Sequence, residues 1–100
     1  MPFLEPEDLA SGDLDIRQLL VRRPSSTFFM RASGDSLDGF GVHDGDLLVV
    51  DRSVEPREGD IAVVCECGAL AVRLLEKPDE GEAVEVWGSV IFSVTEHSKR

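Results

Sequence analysis

Ser36 stands where a reactive hydroxyl can be presented. The segment from 28 to 51 reads FFMRASGDSLDGFGVHDGDLLVVD. It opens on Phe28, Phe29 and Met30, large apolar residues suited to a strand, and closes on the apolar run Leu47, Leu48, Val49 and Val50. Between them lies a polar link containing Gly34, Gly39, Gly41 and Gly45, whose backbones can take positive φ at little cost. A serine on such a turn, directly after a strand, is held at the surface with its oxygen exposed. That suits a nucleophile, and it is also an ordinary place for a turn serine. A serine hydroxyl attacks poorly until a neighbouring base takes its proton. The bases on offer are few. His43 lies in the same link, in a direction the sequence does not fix. His97 is in the polar tail, and Lys77 stands beside Pro78.

The elements that must position these groups are short. Residues 13–21 form the one helical candidate: Asp13 or Asp15 can cap it, Ile16, Leu19 and Leu20 share a face, and Pro24 stops it. Strands are expected at 27–33, 46–51, 61–67, 69–76 and 84–94. The last is one strand or two, broken or bulged around Gly88. Residues 54–60 form a turn punctuated by Pro56 and Gly59, Gly68 turns a hairpin, and 77–82 form a loop. Short strands with turn signals every eight to twelve residues argue a mostly β sandwich or open barrel with one short N-terminal helix. Residues 1–12, with two prolines and several acids, read as an extended N-terminal arm, leaving 13–100 as a single domain. Phe3 and Leu4 can anchor that arm on another surface.

Composition narrows the class. The chain has 100 residues, 20 acidic against 10 basic, and a formal net charge of −10. That length makes one modest core, burying roughly 60–65% of the unfolded surface. An acidic domain is poorly suited to phosphate backbones, so direct nucleic-acid binding is not expected; a basic protein surface is a better partner. Arg17, Arg22, Arg23 and Arg31 are a local exception, read as a solvated face. No apolar run is long enough to span a membrane and the start lacks an export signal, so a cytoplasmic location is expected. Cys65 and Cys67 sit two apart on a strand, awkward for an unstrained disulfide and a weak metal site without a nearby histidine. No cofactor or metal is expected.

The stretch ASGDSLDGFGVHDGDLLVVD resembles the serine-bearing segment of the UmuD/LexA family, self-cleaving proteins of the bacterial DNA-damage (SOS) response. The likeness extends through LDIRQLLVRRPSSTFFMRASGDS, REGDIAVVCECGALAVRLL and VWGSVIFSV, and is nearest to the UmuD branch. It covers most of the chain from 14 to 75, with a further block near the end. The resemblance implies the LexA/UmuD-type fold and a serine–lysine dyad. Carried across, the nucleophile position is Ser36 and the general-base position is Arg73, where the family has lysine. The change is adverse to catalysis. A buried lysine can become a neutral amine, whereas a guanidinium stays protonated and has no acceptor. Lys77, four residues on, would lie about 13 Å along a strand. Compared with the UmuD branch, the chain is also shorter between 75 and 86, which leaves a sheet edge open.

By resemblance, then, the expected function is an SOS-mutagenesis accessory. It would be a homodimeric protein-interaction module for a UmuC-like translesion polymerase and a RecA–DNA filament, without proteolytic activity. Alternatives are an active self-cleaving serine peptidase and a decoy subunit forming mixed dimers with a host UmuD. A repressor's dimerisation half is disfavoured, because nothing ahead of 27 accommodates a helix-turn-helix domain. The family cuts a small-residue/glycine bond in its arm, and the chain begins about where the processed form begins. Ser11-Gly12 is a conceivable substitute, while Cys67-Gly68 reads as hairpin chemistry.

Overall fold

The computed structural model describes residues 3–5, 15–76 and 85–98. Five strands form one antiparallel sheet: β1 Thr27–Arg31, β2 Leu47–Asp51, β3 Ile61–Glu66, β4 Ala69–Leu74 and β5 Glu85–Val94. Their order across the sheet is β1-β2-β5-β3-β4. Helix α1, Ile16–Leu20, and single 3₁₀ turns at Pro24–Ser26 and Asp38–Phe40 complete the fold. This is the mostly β architecture expected of the LexA/UmuD type. The expected arm beyond Phe3–Glu5, Asp13 as a cap, Ser11-Gly12, Lys77, the loop 77–82 and the shortened stretch that contains it lie outside the described residues.

β5 joins two halves that would otherwise be separate pairs. It is one strand, bulged twice. Against β2, Val49 faces Phe92 but Val50 faces Val90; against β3, Val63 faces Gly88 but Val64 faces Val86. Ile91 and Trp87 are thus the extra residues, one on either side of Gly88. Each bulge bends its strand and increases the twist. Gly88 is required by contact, because a Cβ there would sit 2.8 Å from Val50 Cγ1. The outcome is a curled sheet. β1 and β4 are its two edges, yet Arg31 and Leu70 line one common cavity.

The core packs Ala32, Val42, Leu48, Val50 and Val63 with Met30, Leu37, Ile61, Val72, Trp87 and Val90. Phe28 meets Trp87 edge-on, with ring centres 5.2 Å apart, and the Arg52 guanidinium lies 4.3 Å from the Trp87 ring centre. The β3–β4 turn takes one residue more than the sequence suggested, and β3 is one residue shorter. Cys67 and Gly68 both take positive φ, 51° and 79°, so β3 ends at Glu66 and a two-residue turn matching the sheet twist closes the hairpin.

α1 is fixed by its cap and not by burial. The Asp15 carboxylate accepts the Arg17 N–H at 2.8 Å, Gln18 Oε1 accepts the Asp15 N–H, and no helix residue is buried. The chain after it is tied to the sheet through Asp51. This fully buried carboxylate accepts from Ser26 Oγ at 2.8 Å, Ser53 Oγ at 2.6 Å, the Ser53 N–H at 2.9 Å and Arg23 Nη1 at 3.1 Å. Burial alone would push the Asp51 carboxyl up. The bonds from Ser53, Ser26 and Arg23 outweigh it and hold the group far below the usual carboxylate range.

Three measurements follow. Asp51→Ala strands four donors and is expected to cost about 3 kcal/mol in urea unfolding. Because the native carboxyl is depressed, its stabilisation is complete above the unfolded value near about 4 and is lost as pH falls below it. Asp51→Asn is therefore expected to show a weaker loss of stability between neutral pH and pH 3 than the parent. Gly88→Ala forces Val50 aside and is expected to cost about 1–3 kcal/mol.

Candidate active site

The link between β1 and β2 is a folded loop with two antiparallel arms. The Ala32 N–H bonds Asp46 O and the Gly45 N–H bonds Ala32 O, both at 2.9 Å. The Gly34 N–H bonds Asp44 Oδ1 at 2.8 Å, and the Val42 N–H bonds Leu37 O at 3.2 Å. The 3₁₀ turn Asp38–Phe40 closes the tip and ends at Gly41 with φ 87°. Gly34 and Gly45, also at positive φ, shape the base. Beneath the loop lies buried Asp46. One of its oxygens accepts the His43 N–H at 2.8 Å; the other has no bonded partner among the described residues. Burial pushes this carboxyl up. The His43 N–H, the nearby Thr95 hydroxyl and the His43 and His97 imidazoles outweigh that, so it lies below its ordinary value. Thr95 is near enough to favour the charged form without closing a bond.

Ser36 rides on the first arm, exposed, at the rim of a cavity of about 320 Å³. Ser33, Leu37 and Val42 of the loop form one wall and Leu70, Ala71 and Val72 of β4 the other. The loop and the later hairpin, distant in sequence, are thus brought together as the resemblance implies. Arg73 is not among the cavity-lining residues. It stands opposite Ala62 on β3, and its half-exposed guanidinium donates to the Glu66 carboxylate. Glu66 faces Ala69 in the same register, so the two charges lie on one face of the hairpin, alternate to Leu70 and Val72.

Among the described residues the Ser36 hydroxyl has no hydrogen-bond partner. His43 turns its ring to Asp38, with Nδ1 3.0 Å from Oδ1 and both side chains about half exposed. That pairing was not read from the sequence, although a carboxylate five residues before a histidine across a tight turn was a usable signal. His97 lies exposed in the tail, where its charge acts on Asp46. Cys65 and Cys67 are free thiols, and no group of three or more potential metal ligands occurs among the described residues.

Known proteins have related sequences. A family profile described as Peptidase S24-like matches residues 2–86. The MucA protein of Salmonella typhimurium is 38% identical over 103 residues, spanning 85% of this chain and 70% of that one. The ImpA protein of Shigella flexneri is 47% identical over 72 residues, covering 71% of this chain and 50% of the relative. The LexA repressor of Shewanella piezotolerans is 38% identical over 55 residues, 55% of this chain and 27% of the repressor.

The exposure of the Arg73–Glu66 pair limits its worth. Arg73→Ala is expected to change unfolding free energy by less than about 1 kcal/mol, measured by chemical denaturation.

Proposed function

Since the chain belongs to the Peptidase S24-like family, we propose that it acts as a UmuD-like accessory protein of DNA-damage mutagenesis. In this reading it is a cytoplasmic homodimer that binds proteins. It joins a UmuC-like translesion polymerase to a RecA–DNA filament and does not cut itself. The reading is carried by Arg73, which the resemblance puts at the family's lysine position and whose guanidinium is engaged with Glu66. A guanidinium in that position donates hydrogen bonds and cannot receive the Ser36 proton. The peptidase framework is kept while its usual proton acceptor is lost, and what remains useful is the shaped surface. The net charge of −10 fits protein partners better than nucleic-acid phosphates.

The test is direct. The purified chain, held alone at alkaline pH or with an activated recombinase filament, is expected to keep a single intact mass by mass spectrometry. Discrete fragments would overturn the reading. Light scattering at micromolar concentration is expected to give twice the chain mass, and a strict monomer would count against the module.

A further inference from the structure

The loop that carries Ser36 also carries a base that does not depend on position 73. A carboxylate can only accept, so the 3.0 Å contact to Asp38 Oδ1 places the His43 ring proton on Nδ1. In the neutral ring, Nε2 is then a bare acceptor. Ser36 and His43 lie on opposite arms of the loop. The Leu37–Val42 backbone bond lies just beyond them toward the tip, and the Gly34–Asp44 bond lies toward the base. This bracketing puts the backbones of the two residues at facing positions on the arms. Neither Ser36 Oγ nor His43 Nε2 has a partner among the described residues. Asp38, two residues after Ser36, supplies the third member.

We propose that Ser36, His43 and Asp38 form a serine–histidine–aspartate constellation that transfers short acyl groups from activated esters. Ser36 Oγ attacks the acyl carbon while its proton passes to His43 Nε2. The bond from that carbon to the leaving oxygen breaks, and its electron pair departs with the oxygen. The imidazolium gives its proton to solvent. Nε2 then takes a proton from water, whose oxygen attacks the acyl-serine, and Ser36 regains its hydrogen as the carboxylic acid leaves. The acyl chain has a seat: the adjoining cavity of about 320 Å³ is walled by Leu37, Val42, Leu70 and Val72. Such a volume, at the lower end of ligand sites, suits a short chain. Asp38 is a positioning residue, fixing the ring tautomer and its direction.

This activity goes beyond the docking role and does not contradict it. A peptide amine must be protonated before it departs, whereas a phenolate leaves unaided. A weakly held imidazole therefore suffices for an activated ester where it would not for a peptide bond.

The experiment uses the full chain with p-nitrophenyl butyrate as substrate and a fluorophosphonate as a covalent label, located by peptide mass spectrometry. The folded protein is expected to hydrolyse the ester above the rate of the urea-unfolded chain and to take the label at Ser36. His43→Gln is expected to lower both by at least about 100-fold. Asp38→Asn should lower them as well, with partial recovery in Asp38→Glu, which a purely structural role would not give. All three side chains are exposed, so the variants should melt as the parent does. Labelling at Ser33, no rate above the unfolded chain, or full reactivity in His43→Gln would each overturn the proposal. Because self-cleavage and dimerisation are read separately, failure here leaves the accessory reading standing.

Discussion

β5 is the constraint on which the remaining structure rests. It alone bonds both β2 and β3, so it is what makes one sheet from two hairpin-like halves. Ser36 arrives on the loop of the first half, and the opposite wall of its cavity arrives on β4 of the second. The two bulges flanking Gly88 bend the shared strand, and the bend brings the sheet's edges to one cavity. Without a side chain at 88, β5 can approach Val50 closely enough to keep that curvature. The site therefore exists because of a strand that contributes no residue to its lining.

β2 is held at both ends by charge. Asp46 precedes it and Asp51 ends it, and both are buried. At one end Asp46 holds the His43 backbone, and with it the second arm of the loop. At the other, Asp51 gathers Arg23, Ser26 and Ser53, fastening the segment that leads in from α1. Buried carboxylates are costly unless their oxygens are occupied. Asp51 is fully served. Among the described residues Asp46 keeps one oxygen without a bonded partner, stabilised by its neighbours' field. The site-bearing loop thus hangs from the less satisfied of the two anchors.

The chemistry of the cavity turns on which nitrogen can accept a proton. Lysine can, when burial makes it neutral; arginine cannot at any ordinary pH. Here the arginine has its own partner on β3 and lies beside the cavity wall, not in it. An imidazole on the same loop as the serine is a different kind of base. Its contact with Asp38 settles which ring nitrogen carries the proton. The loop that bears Ser36 thus also bears an imidazole–carboxylate pair, His43 and Asp38.

Much of this was legible in the residues. Alternating and continuous apolar runs bounded by glycine and proline marked the strand regions, with 84–94 as one strand or two, and Asp13 or Asp15 marked the helix cap, because these signals are local. Strand ends at Ala32 and Cys67 were misjudged by a residue or two. Tertiary bonds from Asp46 and a positive φ at Cys67 override propensity there. The glycine-rich loop and Ser36 were readable from composition and from the family likeness, and so was the absence of lysine at 73. What the sequence could not supply was direction. That Arg73 pairs with Glu66, that Leu70 and Val72 face the serine's cavity, and that Asp38 takes the His43 ring all follow from strand register and loop pairing. Those are set by contacts between residues far apart in the chain, and by which face each alternate side chain is left to occupy.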